Sequence, residues 1–285
     1  MNEAKRNLLF GALACPACGG SLSPAGHSLV CENRHCFDLS KEGYVNLAPA
    51  RQSGGGDDAG LIAARTAFLS AGHYEPIAAL CETLLHEYAP GALTVDAGCG
   101  EGYYSNLLAR NRPVLGLDLS KRGVRHAARE AGKAGLSALF AVAGIFRMPV
   151  KTGAAGAAVR LFAPICEAEF CRVLAPGGVL LTVGAGPEHL SELKAVLYTV
   201  PALNTRRADL PLHMEKLREE RLSFRMELPH EDLNALFAMT PYFYKTGREG
   251  AQKLAALPGL PVTADVSVAV FRRAGGTADG LPENF

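Results

Sequence analysis

Val95-Asp-Ala-Gly-Cys-Gly-Glu-Gly102 is the stretch on which the reading of the fold turns. A short apolar segment, Leu93-Thr-Val95, delivers the chain to it as a strand, and a helix is expected over 102–110. Gly98 and Gly100 let backbone approach a ligand with no Cβ in the way, and Gly102 is expected to pack against the incoming strand. The helix start offers unpaired N–H groups to an anion. A dinucleotide-binding turn would read Gly-x-Gly-x-x-Gly, whereas this one begins with Asp96, which would repel a pyrophosphate. The loop therefore suits a cationic, phosphate-free cofactor with an amino-acid tail.

Outward from this loop the chain alternates strand and helix, the pattern of an α/β protein. Pro113-Val-Leu-Gly-Leu117 reads as the next strand and ends at Asp118, 22 residues after Asp96. An acid there is placed to accept both hydroxyls of a ribose. A helix follows over 121–134, then strands at 138–142 and 157–162, a helix at 165–174, a strand at 179–183 and a helix at 188–199. Ala264-Asp-Val-Ser-Val-Ala-Val-Phe271 reads as a closing strand, and the last dozen residues as frayed. Upstream of the loop, helices are expected over 61–71 and 75–89. Residues 201–248 break the rhythm and are expected to form a mostly helical insertion capping the sheet. The expectation is a Rossmann-like, class I S-adenosylmethionine-dependent methyltransferase fold.

A second motif lies near the N-terminus. Of the eight cysteines, four fall between positions 15 and 36. Cys15-Pro-Ala-Cys18-Gly19 is a knuckle of two thiolates with a glycine that lets the chain turn, and Cys31 and His35 follow after twelve and three intervening residues. Cys-x2-Cys-x12-Cys-x3-His supplies four ligands for a closed tetrahedral zinc site of structural type. By spacing alone Cys36 competes equally with His35 for the fourth position. Short apolar pieces such as Ser28-Leu-Val30 predict two small hairpins around the metal. The organisation expected is a zinc module over 1–47, a glycine-rich linker over 48–60 and the methyltransferase domain over 61–285.

Composition narrows the function classes. The 285 residues are 48% hydrophobic and 20% charged, with a formal net charge of +1. That balance excludes wholesale disorder and makes any phosphate-binding surface a local patch. No apolar run reaches the roughly eighteen residues of a membrane span, and the N-terminus is a poor signal peptide, so a cytoplasmic protein is expected. The 121–134 helix carries Lys121, Arg122, Arg125, Arg129 and Lys133, either an RNA footprint or a solvated face. Arg147-Met-Pro149 follows the third strand, where the edge of an adenine is read in such sheets, with Phe146 either a stacking surface or a core residue.

Taken together, the motifs resemble the bacterial large-subunit ribosomal RNA guanine-N1 methyltransferases, a family that includes a macrolide-resistance methyltransferase. The resemblance rests on the zinc ligands, Phe37-Asp-Leu-Ser-Lys-Glu-Gly-Tyr-Val-Asn-Leu47, Ala64-Arg-Thr-Ala-Phe-Leu-Ser-Ala-Gly-His-Tyr74 and Asp96-Ala-Gly-Cys-Gly-Glu-Gly-Tyr-Tyr104. It continues through Leu117-Asp-Leu-Ser-Lys121, Arg160-Leu-Phe-Ala-Pro164, Pro176-Gly-Gly178 and Gly186-Pro-Glu-His-Leu190, and so covers nearly the whole chain. It implies His35 as the fourth ligand, and Tyr74 and His189 in the cofactor site with Gly100, Glu101, Gly102 and Tyr103 around the methionine end. It further implies a homodimer whose two modules shape a cleft for a hairpin of 23S ribosomal RNA, with methylation at N1 of one of two closely spaced guanines.

N1 of guanine carries a proton and is a poor nucleophile until it leaves, so positioning should dominate catalysis, with the base drawn out of its stack. No general base is identifiable. Arg160, Phe162 and Pro164, at the strand end facing the transferable methyl, are the expected guanine-pocket residues. Two rival functions are a small-molecule methyltransferase, which has little need of a zinc module, and a non-catalytic RNA-binding protein with a decayed domain, against which the intact loop and Asp118 argue.

Overall fold

The structure, a computed structural model, describes residues 3–49, 59–200, 204 and 214–274. The expected linker lies largely outside the described residues, as do most of 201–213 and the expected frayed end. No helix among the described residues is long and apolar enough to cross a membrane.

The chain opens with helix α1 (Glu3–Ala12), then strands β1 (Leu22–Ala25), β2 (Ser28–Cys31), β3 (Cys36–Asp38) and β4 (Val45–Asn46). Helices α2 (Ala59–Ser70) and α3 (Glu75–Tyr88) lead into β5 (Thr94–Ala97), α4 (Tyr103–Leu108), β6 (Val114–Asp118), α5 (Lys121–Lys133) and β7 (Ala138–Val142). There follow β8 (Ala155–Leu161), α6 (Glu167–Val173), β9 (Leu174–Ala185), α7 (Ser191–Leu197), β10 (Met214–Pro229), α8 (His230–Met239), α9 (Arg248–Ala255) and β11 (Gly259–Arg273).

The main sheet runs β10-β11-β9-β8-β5-β6-β7-β4. β5 is buried at every residue, as expected of a parallel strand covered on both faces. From β5 the chain builds outward through β6 and β7 on one side and through β8 and β9 on the other. The order therefore reverses between β5 and β8, and the crevice at their carboxyl ends is where open α/β sheets bind ligands. Helix α5 shows why sequence periodicity is informative here. Val124, Ala127, Ala128 and Ala131 form one buried stripe, and the Ser120 side chain caps the helix by accepting from the Gly123 N–H at 3.2 Å.

Residues 214–229 correct the expectation of a mostly helical insertion over 201–248. They form β10, antiparallel to β11 along nearly its whole length. Leu222, Phe224, Met226 and Leu228 alternate with polar residues and pack on the apolar layer that α8 covers. The period of two was masked by the many charges of Glu215–Arg225, which belong on an exposed edge strand because they discourage pairing with another chain. Only α8 and α9 of this region are helical among the described residues.

The N-terminal module is a three-stranded antiparallel sheet, β1-β2-β3, in which the two expected hairpins share β2. Its apolar residues do not close on themselves. Leu9, Phe10, Leu13, Leu29 and Leu47 share one buried cluster with Leu115, Leu139, Val150 and Phe170 of the larger domain. So short a segment cannot bury enough surface alone. Instead, α1 packs beside β7, the Ala14 N–H donates to the Pro149 carbonyl at 3.0 Å, and the Lys151 N–H donates to the Ala12 carbonyl at 2.8 Å. β4 then extends the main sheet by pairing in parallel with β7.

Candidate active site and metal centre

The glycine loop leaves β5 at Ala97 and turns through three left-handed residues, Gly98 at φ 90°, Gly100 at 57° and Gly102 at 91°. A Cβ at Gly98 would lie 2.7 Å from the Ala163 Cβ, so the loop after β5 touches the turn after β8. A Cβ at Gly102 would lie 2.4 Å from the Ala127 Cβ, so that glycine lets the loop rest on α5. Sequence reasoning paired Gly102 with the incoming strand; its close neighbour is this helix.

Three acids surround the loop. Asp96 is fully buried, its Oδ2 accepts from the Ser105 hydroxyl, and its Oδ1 has no hydrogen-bond partner among the described residues. Burial, reinforced by the charges of Asp118 and Glu101, pushes its carboxyl up to about 7. Asp118 is oriented by backbone: Oδ2 accepts from the Gly100 N–H at 2.9 Å and Oδ1 from the Ser120 N–H at 2.7 Å. Glu101 is buried, and Tyr103 is half-buried, its ring 5.0 Å from Tyr104. A cradle without Cβ atoms, an orphaned buried carboxylate oxygen and an oriented second acid fit the amino-acid tail and ribose of S-adenosylmethionine.

Tyr74 and His189, 115 residues apart, meet beside this loop with Oη and Nε2 3.4 Å apart. The Asp265 backbone N–H donates to His189 Nδ1 at 3.2 Å, which makes Nε2 the protonated nitrogen. Burial lowers His189 to about 4 and raises the Tyr74 phenol well above its ordinary value, so both are neutral near pH 7. Phe162 stacks on His189 at 5.6 Å between centroids and faces Tyr74 at 6.2 Å. It is 42% exposed and holds φ 54°, so it is a strained residue at the crevice mouth rather than part of the sheet core. Pro164 is exposed beside it, while Arg160 is buried within β8.

Asp265 was missed by sequence reasoning, although a lone acid inside an apolar strand was a signal that it must have partners. It is fully buried at its side chain and pairs bidentately with Arg221 at 2.7 and 2.9 Å. It also accepts from the Glu188 N–H at 2.9 Å, so it fixes the Gly186–His189 turn. Asn204 Nδ2 adds donors to the Gly186 and His189 carbonyls at 3.0 and 3.1 Å. In the loop expected to read adenine, the backbone of residues 148–150 is already paired. Arg172 donates to the Met148 and Val150 carbonyls, Glu169 accepts from the Met148 N–H, and Pro149 receives Ala14 of the small module. Phe146 is 65% exposed, which removes it from the core.

In the small module, one ligand atom each from Cys15, Cys18, Cys31 and His35 lies within 4.8 Å of all the others. Cys15 Sγ and Cys31 Sγ stand 3.5 and 3.4 Å from His35 Nδ1, and Cys18 Sγ stands 3.7 Å from Cys31 Sγ. Bonds of about 2.3 Å to sulfur and about 2.1 Å to nitrogen place tetrahedral ligands ~3.6–3.8 Å apart, so the cluster suits a four-coordinate metal. Cys36 is exposed on β3 and outside the cluster. The basic face of α5 is partly engaged: Arg125 pairs with Glu42 of the small module at 2.8 Å, and Arg129 and Lys133 both pair with Glu130 at 3.0 Å. Those contacts favour a solvated, module-joining face over an RNA footprint for these three cations.

Comparisons with known proteins agree with this geometry. Residues 94–178 match the family described as "Methyltransferase domain", and residues 13–54 match "RlmA, N-terminal", a zinc ribbon. A candidate type II methyltransferase from Anaeromyxobacter dehalogenans superposes with a TM-score of 0.52 at 23% identity, covering 70% of this chain and 97% of that one, a likeness of fold alone. The chain thus has the class I methyltransferase fold with an added metal-binding ribbon. Its relatives are more specific. It is 35% identical to the 23S rRNA (guanine(748)-N(1))-methyltransferase of Streptomyces fradiae, over 91% of this chain and 96% of that protein. It is 30% identical to YxjB of Bacillus subtilis, a candidate 23S rRNA (guanine-N(1)-)-methyltransferase, over 93% of this chain and 99% of that protein. The chain belongs to the 23S rRNA (guanine-N1-)-methyltransferase family.

Proposed function

We propose that the chain transfers a methyl group from S-adenosylmethionine to N1 of one guanine in a hairpin of 23S ribosomal RNA, with one structural zinc held by Cys15, Cys18, Cys31 and His35. The observation that carries this reading is the contact between Gly98 and the turn after β8, which sets the glycine loop and the exposed Phe162 in one crevice of a chain related over 91% of its length to such an enzyme.

S-adenosylmethionine supplies an electrophilic methyl on a sulfonium. In this reading Asp96, Gly98, Gly100, Glu101, Gly102 and Tyr103 hold its amino-acid end, and Asp118, oriented by the Gly100 and Ser120 N–H groups, accepts from the ribose. Tyr74 and His189 form a neutral, hydrogen-bonded wall, because burial keeps the phenol protonated and the imidazole uncharged. Neither is therefore placed as the base that takes the N1 proton. Phe162 offers an open ring face against which a flipped guanine stacks, with Arg160 and Pro164 shaping the pocket. Holding N1 in line with the methyl, away from water, is the main contribution these residues make to rate. The enzyme acts as a homodimer in the cytoplasm, which sedimentation velocity tests for the first part.

The decisive assay combines protein-free 23S RNA, S-adenosylmethionine and enzyme. N1 methylation blocks Watson–Crick pairing, so reverse transcriptase halts beside the modified base. One strong new stop in a single hairpin is expected and identifies the guanine. Methyl label on N2, N7 or a ribose breaks the assignment of chemistry. Robust transfer to a small molecule, with none to RNA, breaks the assignment of substrate.

A further inference from the structure

Arg65 stands on α2, a helix anchored by the buried side chains of Ile62, Phe68 and Leu69. That helix packs against both α4, which follows the glycine loop, and α5, which follows Asp118. The result is a guanidinium at the loop itself: Arg65 Nη1 would be 3.3 Å from a Cβ built on Gly100. Gly100 is also the residue whose N–H orients Asp118, so Arg65 and Asp118 approach the same residue of the loop.

The charges there favour a cation beside the loop. Asp96, Glu101 and Asp118 lie close enough that the other two raise the Asp96 carboxyl. This acidic surround favours an ammonium and hydroxyl donors but repels a carboxylate. The amino-acid end of S-adenosylmethionine carries both an ammonium and a carboxylate. The α4 helix has six residues, and the partial charge at its N-terminus is small beside Glu101, Asp118 and a part-ionised Asp96. A half-buried guanidinium beside Gly100 brings positive charge to the loop, and its five N–H donors include a parallel pair that matches the two oxygens of a carboxylate.

We infer that Arg65, 3.3 Å from the Cβ position of Gly100, binds the carboxylate of the cofactor's methionine end. The inference rests on the reading of the loop as an S-adenosylmethionine site. It gives α2 a task that periodicity does not disclose. The helix closes one side of the cofactor cleft, and Arg65 is the latch.

The test is calorimetric and needs no RNA. S-adenosylmethionine and decarboxylated S-adenosylmethionine differ only in the carboxylate; both keep the sulfonium, the ammonium and the adenosine. Wild-type protein should bind the first more tightly. Arg65→Gln should weaken S-adenosylmethionine about ten- to hundred-fold, the range for a charged hydrogen bond, and leave the decarboxylated ligand within about twofold. Arg65→Lys, which keeps the charge and loses the fork, should fall between. Equal weakening of both ligands in Arg65→Gln would make the residue structural and overturn the inference, as would unchanged affinity for both. If Arg65→Gln does not fold, judged by circular dichroism, the Arg65→Lys comparison alone decides by the same criterion. Wild-type protein that binds neither ligand overturns the cofactor reading, and the inference with it. Wild-type binding with an unselective Arg65→Gln overturns the inference alone.

Discussion

Replacing Gly102 by alanine adds one methyl group at the tightest point between the cofactor loop and α5. Two costs follow. Gly102 holds φ 91°, a left-handed conformation that costs a residue with a Cβ ~1–2 kcal/mol. The new Cβ would also meet the Ala127 Cβ at 2.4 Å and its Cα at 2.9 Å, against a comfortable carbon separation of about 3.5–4.0 Å. The backbone of α5 must therefore withdraw by about 1 Å, and such overpacking costs ~1–3 kcal/mol. Together Gly102→Ala should destabilise by ~2–5 kcal/mol, a large share of the ~5–15 kcal/mol that a typical domain possesses. Urea unfolding followed by far-ultraviolet circular dichroism, with zinc present, measures it as a fall in midpoint at constant slope. The Ala127→Gly background separates the two costs. It removes the Cβ–Cβ overlap and leaves the backbone strain with the milder approach to the residue 127 Cα, so Gly102→Ala should cost ~1–2 kcal/mol less there. A loss below ~1 kcal/mol in wild type, or the same loss in both backgrounds, would refute the packing argument.

Two other outcomes are expected. Protein purified without chelator should contain one zinc per chain by elemental analysis; Cys31→Ser should lose it and Cys36→Ser should keep it, and retention by Cys31→Ser would disprove the ligand set. The buried Asp96 carboxyl has a folded value near 7, above its ordinary range, so its contribution to stability is complete below about pH 4 and is lost as pH rises through about 7. That loss is on the order of 4 kcal/mol at most, and Asp96→Asn should flatten it, so parallel pH–stability curves for the two ligand-free proteins between pH 5 and 8 would contradict the assignment.

The parts of the site made by local chain order were legible in the sequence. The turn from β5 through Gly102 needs three left-handed glycines in a row of alternate residues, and Asp118 ends the neighbouring strand at the same level, so spacing alone brings them together. Cys15 and Cys18 share one knuckle, and β2 with the turn after it brings Cys31 and His35 back to it. What was not legible depends on distant pairing. Arg65 comes close to Gly100 only because α2 packs on α4 and α5, and no period in the sequence encodes that. Tyr74 and His189 were placed by family resemblance, and Asp265, which orients His189, was overlooked because its strand was read for its apolar residues. The strand over 214–229 was hidden by charge: its apolar residues alternate, but Glu and Arg at most other positions imitate a solvated helix.

The order in which a ribosome releases this chain gives the shared core a kinetic meaning. Leu9, Leu13 and Leu29 emerge first, but the residues that bury them, Leu139 and Val150 among them, follow roughly a hundred residues later, on the order of 5–20 s at ordinary synthesis rates. The strand Val45–Asn46 likewise waits for Ala141 and Val142 before it has a partner. During that interval the nascent ribbon has no sheet to lean on. All four residues of the metal-suited cluster are already out, so a bound metal would be a strong source of order at that stage. A cell short of zinc would therefore feel the deficit while the chain is still being made, as an exposed apolar surface open to chaperones and to aggregation, before any cofactor cleft exists to be impaired.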